Sequence, residues 1–233
     1  MNRTRLIHSN NSRVPSRVFE GDSFTKLLIH GDGADGSTTI TDTSASSHVP
    51  VAAGHAQVDT AQKKFGTGSL LFDGTGDYVR VPNHADFNVG SGDWTMDYWV
   101  RFATADFMQY LGRINGNSPF QGWYMVKTAA GNLNWYTSSN TLRLASSGGE
   151  LTTNNWHHIA IDSFSGTIRA YINGNSVASW AGTVENFETD LIIGAWVANG
   201  GSSLNGWIEE FRWSKGISRY QGSNFTPPTS AYS

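Results

Sequence analysis

From residue 26 onward, short apolar or alternating runs are separated by breaks rich in Gly, Asn, Asp and Ser. In the run 94–102 every second residue is large and apolar, from Trp94 to Phe102, which is the period of a β-strand. The same pattern predicts strands within residues 26–30, 68–72, 78–81, 110–114, 122–127, 133–137, 142–145, 156–163, 167–172, 175–180, 191–194 and 206–214. No segment keeps a helical period for longer than about two turns.

The turn residues favour antiparallel pairing of these strands. Asn173 and Gly174 separate two strand-like runs, and an Asn-Gly pair is typical of a type I′ hairpin because both turn residues need a positive φ. Pro227 and Pro228 predict the end of regular structure, since proline donates no ladder hydrogen bond. About a dozen short strands at this spacing indicate an all-β protein, a sandwich of two antiparallel sheets.

Composition supports one folded β domain. The chain has 233 residues, of which 12% are aromatic and only 15% are charged, and this balance opposes disorder. Because it contains no Cys, disulfides, thiolate catalysis and Cys-ligated zinc or iron–sulfur centres are excluded. No run approaches the ~18 apolar residues of a membrane span, so we expect no membrane partner.

The first 25 residues differ from the rest in charge and pattern. Arg3, Arg5, Arg13 and Arg17 have no acidic residue beside them within residues 1–19. Without these four arginines, 12 basic residues stand against 19 acidic ones, a net charge of −7. We therefore expect no nucleic-acid binding by the remainder, because phosphate contacts need cations.

These features predict an extended basic N-terminal arm, residues 1–25, followed by one domain, residues 26–233. No apolar stretch of the required length follows Met1, so no signal peptide is expected. Two interpretations of the arm stay open. It is a frayed terminus, or it orders on a partner through its arginines and apolar anchors such as Phe19.

Six short motifs follow one another along the chain. They are Phe65–Gly74 with Asp77–Val79, Trp94 to Arg101, Trp156–Ala160, Tyr171–Gly174, Gly206–Trp213 and Phe225–Pro228. Together they resemble the laminin-G-like, concanavalin A-like lectin/glucanase superfamily over roughly residues 26–232. The resemblance implies a jelly roll of two curved sheets. It is less informative about activity, because this fold carries lectins, glucanases, adhesion modules and structural proteins.

Glucanases of this superfamily carry a strand motif Glu-x-Asp-x-x-Glu, which supplies a nucleophile and a proton donor. The nearest match here has Glu188 and Asp190 but Ile193 in place of the third acid. Glu209 and Glu210 are adjacent and should face opposite sides of a strand, so they do not form a catalytic pair. We therefore predict no catalytic residues and no enzymatic activity.

Calcium is the cofactor for which the resemblance suggests ligands, because domains of this superfamily often hold Ca²⁺ at a rim or edge. Asp32 and Asp42 lie in two loops after the first strand. Glu210 would join them if the N- and C-terminal strands are neighbours, as the resemblance implies. The alternative is that these acids cap turns.

Aromatic rings and amides are concentrated in the middle of the chain, and such groups bind sugars through ring faces and hydroxyl contacts. The candidate glycan-binding residues are Tyr110, Asn115, Trp123, Tyr124, Asn134, Trp135, Tyr136 and Trp196. Adjacent strand residues face opposite ways, so one ring of each Trp-Tyr pair should enter the core. The alternative for any single ring is that it only fills the core.

Two functions remain open at this stage. In the first, the chain is a non-enzymatic structural or adhesion protein of a bacteriophage virion, a capsid decoration or a fibre, because stand-alone laminin-G-like domains with a Phe-Thr-Pro-Pro-Thr ending resemble phage structural proteins. It would be located in the virion as a homo-oligomer, dock on a partner such as the major capsid protein, and bind surface polysaccharide. In the second, it is a free carbohydrate-binding module or a degenerate β-glucanase.

Overall fold

The computed structural model describes residues 22–198 and 202–233, and the arm residues Arg3, Arg5, Arg13, Arg17 and Phe19 lie outside them. The described residues form fifteen strands and two 3₁₀ turns, Ala85–Phe87 and Ser138–Asn140. The strands are β1 (Thr25–Ile29), β2 (Val51–Ala53), β3 (Gln57–Asp59), β4 (Ser69–Asp73), β5 (Tyr78–Val81), β6 (Trp94–Phe102), β7 (Met108–Ile114), β8 (Gly122–Lys127), β9 (Leu133–Thr137), β10 (Thr141–Ala145), β11 (Trp156–Phe164), β12 (Thr167–Ile172), β13 (Asn175–Ala181), β14 (Leu191–Ile193) and β15 (Asn205–Lys215). Within this part of the chain no helix is long and apolar enough to cross a membrane.

The strands form two antiparallel sheets, which confirms the predicted all-β jelly-roll sandwich. The larger sheet has the order β13-β12-β11-β6-β15-β4-β3, and β1 pairs with β15. The seven-stranded sheet has the order β10-β9-β8-β7-β14-β5-β2. Because β1 and β15 are hydrogen-bonded to each other, the N- and C-terminal strands are neighbours, as the resemblance implied.

The core lies between the two sheets, and the predicted apolar face of β6 points into it. Trp94 and Trp123, from opposite sheets, stack on Trp213 with ring centroids 5.4 Å and 6.0 Å away. Trp135 meets the rings of both Trp94 and Trp123 at steep angles. These indoles link the sheets through offset and edge contacts, the geometries that aromatic pairs prefer.

The C-terminal segment, residues 216–233, covers part of the outer face of the larger sheet. Tyr220 donates to Asp97 of β6, and the Tyr232 hydroxyl lies 2.9 Å from His158 Nε2 of β11. Asp97 and His158 are therefore fully buried although they point away from the core. Arg101 and Trp207, on the same outer face, stay half-exposed.

Two strands and one bulge were not predicted. β2 and β3 have three residues each, too few to show an alternation. In β15 the register shifts between Glu209 and Arg212, and Glu210 has a φ of 56°. The carboxylates of Glu209 and Glu210 both contact segments outside the core, so the expectation that they face opposite sides is wrong. A bulge breaks the period of two on which that expectation rested.

Candidate functional site

Four aromatic side chains cluster on the outer face of the seven-stranded sheet, and we call them the aromatic platform: Phe120, Tyr124, Tyr136 and Trp196. Tyr124 and Tyr136 are cross-strand partners whose rings are nearly parallel, with centroids 5.0 Å apart and an interplanar angle of 6°. Trp196 meets Tyr124 edge-on at 5.4 Å and Phe120 at 5.6 Å. Tyr124 is buried under its neighbours, whereas the other three rings are half-exposed.

Strand alternation and one glycine position these rings. In β8 and β9 the tryptophan of each Trp-Tyr pair enters the core, so Tyr124 and Tyr136 face outward. Trp196 lies on the loop after β14, whose backbone passes directly over Gly112 of β7. A Cβ atom at Gly112 would stand 2.3 Å from the Trp196 carbonyl oxygen, so only glycine permits this close approach.

Polar groups border the platform. The Tyr124 hydroxyl donates to Asn140 Oδ1 at 3.1 Å. Asn134 Nδ2 lies 3.5 Å from the Tyr136 hydroxyl, a weak contact, and Asn134 Oδ1 has no hydrogen-bond partner. Burial, together with the nearby Tyr136, raises the pKa of Tyr124, so its hydroxyl stays a neutral donor. Apolar ring faces bordered by a few polar groups are typical of small-ligand sites.

The structure divides the candidate glycan residues into two groups. Tyr110, Trp123 and Trp135 are only 0%, 2% and 1% exposed, and Tyr110 shares a hydrogen bond of 2.9 Å with Tyr98 inside the core. No glycan reaches them, so their assignment to the binding surface is corrected. Tyr124, Asn134, Tyr136 and Trp196 are brought together on the platform.

Asn115 occupies the hairpin loop between β7 and β8. Its side-chain oxygen accepts from the backbone N–H groups of Asn117 and Gln121, at 3.2 Å and 3.1 Å, and so closes the loop that carries Phe120. Sequence reasoning missed Phe120 and Asn140 because both lie in irregular segments. The sequence offered one sign for Phe120: it is an aromatic residue two positions before β8, the strand that carries Trp123 and Tyr124.

A groove of about 320 Å³ lies between β9 and β10 on one side and residues 180–187 on the other. The guanidinium of Arg143 lies 4.6 Å from the Trp180 ring centroid and donates to Thr137 Oγ1 at 3.0 Å. Ser138, at the start of the 3₁₀ turn that also carries Asn140, lines this groove. The turn Ser138–Asn140 therefore contributes to both the platform and the groove.

The three predicted calcium ligands are not brought together. Asp42 accepts the backbone N–H groups of Leu28, Ser44 and His48, and Asp32 accepts that of Thr67. These contacts match the alternative that the acids cap turns.

The third predicted ligand, Glu210, pairs with His30 Nδ1 at 2.8 Å and accepts the Tyr232 N–H at 2.6 Å. Two other groups among the described residues have ligand atoms within 4.8 Å of one another: His48–His84–Asp86 and His55–Asp73–Asp77.

The acidic residues considered for catalysis are also engaged. Glu188 and Asp190 lie before β14, where both hold Asn83, at 2.6 Å and 2.8 Å, and Asp190 pairs with Arg80 at 3.1 Å. Burial raises the pKa of Glu209 to about 7, although backbone N–H groups of Lys64 and Phe65 donate to it.

A jelly roll of two antiparallel sheets is the fold of lectin-like domains. The chain belongs to the concanavalin A-like lectin/glucanases superfamily, whose sequence pattern matches residues 73–217, more than half of the chain. No curated protein sequence matches it.

Solved structures share the fold at low sequence identity. The binding domain of Paraclostridial Mosquitocidal Protein 1 superposes with a TM-score of 0.64 and 16% identity, over 84% of this chain and 50% of that one. The binding domain of botulinum neurotoxin DC in complex with SialylT gives 0.63 and 17%, over 85% and 50%. Domain 4 of AbnA, an arabinanase of Geobacillus stearothermophilus in complex with arabinotriose, gives 0.57 and 16%, over 84% and 95%. The chain thus spans about half the length of the toxin binding domains it matches.

Proposed function

We propose that this protein is a non-enzymatic carbohydrate-binding protein and that a glycan lies across the aromatic platform. The observation that carries the proposal is the pair of half-exposed rings, Tyr136 and Trp196, packed on the buried Tyr124 on the sheet face that the C-terminal segment leaves free. Ring faces of this kind bind the C–H surfaces of sugars, and the bordering amides can hydrogen-bond hydroxyls.

The composition of the platform favours a neutral sugar. None of its four rings is paired with a charged side chain, and the polar groups at its border are amides and phenols. The charged residues Arg143 and Glu185 line the separate groove and are not part of the platform.

The proposal of a non-enzymatic role rests on the acids. A glycosidase needs two carboxyl groups free to act on one bond, about 5 Å or 6.5–9.5 Å apart. Here Glu188 and Asp190 are engaged by Asn83 and Arg80, and Glu209 and Glu210 are only 1% exposed. Release of reducing sugar from laminarin that disappears in Glu188→Gln would instead favour the degenerate β-glucanase.

Binding is tested with a glycan array, followed by calorimetry on the best ligand. Tyr136→Ala and Trp196→Ala should each weaken binding about tenfold, because an aromatic contact contributes 0.5–1.5 kcal/mol beyond its buried area. Val51→Ala is the matched control, since Val51 is exposed on β2, at the opposite edge of the seven-stranded sheet from the platform. Unchanged affinity in both ring variants would refute the site.

We further propose that the protein belongs to a bacteriophage virion, as a capsid decoration or fibre present in many copies, where the arm docks on a protein such as the major capsid protein. The support is the sequence resemblance and the charge: four arginines precede a remainder of net charge −7. Deleting residues 1–21 leaves Asp22 in place, which holds Arg219 of the C-terminal segment at 3.1 Å. The shortened protein should fold normally and fail to sediment with capsid shells.

The matched control for this truncation is a full chain in which the four arginines are replaced by lysine, which keeps the charge. It should still sediment with the shells. Equal association of the truncated protein with the shells would contradict the docking role of the arm.

A further inference from the structure

We infer that His48, His84 and Asp86 form a binding site for a transition metal ion, with zinc as the expected occupant. His48 Nε2 lies 3.1 Å from Asp86 Oδ2, and His84 Nδ1 lies 3.2 Å from the same oxygen. The two imidazole rings meet edge-on, with centroids 4.8 Å apart. Two imidazole nitrogens and one carboxylate oxygen thus converge from two segments of the chain, the loop after β1 and the turn after β5.

The separations match a tetrahedral coordination sphere. Zinc binds imidazole nitrogen and carboxylate oxygen at about 2.0–2.2 Å, so two ligand atoms on one tetrahedral ion stand about 3.3 Å apart. The observed 3.1 Å and 3.2 Å agree with this distance. All three ligand atoms lie within 4.8 Å of one another, and His84 is 54% exposed, so a small rotation of its ring brings the nitrogens onto one ion.

The hydrogen bonds of the cluster leave negative potential between its members. His84 Nδ1 accepts the backbone N–H of Asp86 at 3.2 Å, so this nitrogen carries a lone pair. The same nitrogen faces Asp86 Oδ2, which also carries lone pairs and already accepts from Ser46 Oγ at 3.0 Å. A cation bound between the two atoms would take the Nδ1 lone pair in place of the Asp86 N–H.

A side chain outside the three proposed ligands holds Asp86. Ser46 Oγ donates to Asp86 Oδ2 at 3.0 Å and orients the carboxylate from outside the cluster, as partners of metal-binding carboxylates do.

The donor set selects the metal. Imidazole nitrogen suits zinc, copper, iron and nickel, whereas calcium takes oxygen ligands. The other group, His55–Asp73–Asp77, is a weaker candidate because both oxygens of Asp77 accept backbone N–H groups, of His55 at 2.6 Å and Asp73 at 2.8 Å. Three protein ligands at the first group leave a fourth position for water or an external ligand.

A bound ion would join the loop after β1 to the core. The His48 ring lies 5.0 Å from the buried ring of Phe87, and Trp213 Nε1 donates to the Asp86 carbonyl at 3.2 Å. An ion that binds only the folded state raises the free energy of unfolding with the logarithm of its concentration over Kd. We therefore expect zinc to raise the melting temperature of the protein.

The test uses untagged full-length protein, freed of metal by dialysis against a chelator and titrated with zinc chloride by calorimetry. We expect one zinc at this site per chain and a rise in melting temperature that excess chelator reverses. His84→Gln and Asp86→Asn should each weaken this binding by more than the roughly tenfold that loss of an outer-shell partner costs. His55→Gln is the matched control and should leave zinc binding unchanged.

Because Asp86 is partly buried, Asp86→Asn could fail to fold. The result for His84→Gln therefore decides the test, since His84 is exposed. Unchanged zinc affinity and stoichiometry in His84→Gln would overturn the site, and so would loss of zinc binding in His55→Gln. Calcium chloride at the same concentration should neither bind at this site nor displace zinc. Displacement of zinc by calcium would contradict the proposed nitrogen ligands.

Discussion

Replacing Arg212 by methionine tests how the C-terminal segment is held on the larger sheet. The Arg212 guanidinium donates to both carboxylate oxygens of Asp97, at 2.9 Å and 2.6 Å, and its side chain is 6% exposed against 0% for Asp97. Its flat face lies 3.8 Å from the Tyr232 ring centroid, and Tyr220 donates to Asp97. This ion pair therefore lies directly beneath the two tyrosines of the segment.

The expected cost follows from burial. Arg212→Met keeps the aliphatic stem but leaves the Asp97 carboxylate without its counter-charge, and breaking one side of a buried pair costs about 3–5 kcal/mol. Loss of the contact with Tyr232 adds about 0.5–2 kcal/mol. Since a domain is stable by only about 5–15 kcal/mol, the variant should lose about a quarter or more of its free energy of unfolding.

Urea unfolding at pH 7 measures the effect, and a double-mutant cycle with Asp97→Asn separates the pair from its surroundings. The amide oxygen introduced by Asp97→Asn still accepts from Tyr220, so the double variant should cost less than the sum of the two single variants by about 0.5–3 kcal/mol. Additive single variants, or a loss below about 1 kcal/mol in Arg212→Met, would refute the argument.

The pH dependence of the same pair has a defined sign. Burial alone would raise the pKa of Asp97, but Arg212 holds it below its ordinary value of 3.8. The pair is therefore fully stabilising above pH 3.8, and its contribution is lost as the pH falls through the lower folded pKa. Arg212→Met should lack this acid-sensitive contribution.

Three further predictions concern other parts of the fold. Burial lowers the pKa of His158 from 6.5 to about 4. Because the unfolded chain takes up this proton at a higher pH than the folded protein, His158 lowers the stability as the pH falls from 6.5 to about 4. His158→Gln should therefore flatten the plot of melting temperature against pH over this range. Gly174→Ala should cost more than about 1 kcal/mol in urea unfolding, because its Cβ would stand 1.9 Å from the Phe225 carbonyl oxygen, while Gly166→Ala, at a similar positive φ with open space, should cost clearly less. Calcium binding by Asp32, Asp42 and Glu210 stays a prediction from the sequence. Because these carboxylates are engaged by protein donors, we expect a calcium-selective chelator to leave the melting temperature unchanged, and a drop would restore that site.

Local periodicity was sufficient to predict every strand of the described residues except β2 and β3. β5, β6, β8, β9 and β12 have the bounds that alternation indicated, because each side chain's direction depends only on its position along its own strand. The same rule correctly placed one ring of each Trp-Tyr pair in the core. It did not identify Tyr110 as buried, since that residue has no adjacent ring to compare with.

Features set by distant segments could not be read from the sequence. That the C-terminal segment covers Asp97, or that Asp42 closes its own loop, depends on where the chain returns after many residues. The β15 bulge is an intermediate case. Ile208 and Phe211 are both in the core, and a spacing of three between core residues was a visible sign that the alternation breaks.

The outer face of the larger sheet contributes to stability, whereas we propose that the outer face of the seven-stranded sheet binds the glycan. This difference can be tested. A ligand could reach Asp97 and Arg212 on the outer face of the larger sheet only by displacing Tyr220 and Tyr232 from these buried charges. The seven-stranded sheet carries half-exposed rings with no segment over Tyr136 to displace. Stability and binding should therefore respond to different variants. Arg212→Met should lower the free energy of unfolding and leave the glycan affinity of the folded protein unchanged. Tyr136→Ala should weaken glycan binding and leave the free energy of unfolding unchanged. A variant of either face that changed both quantities equally would show that the faces are coupled through the core.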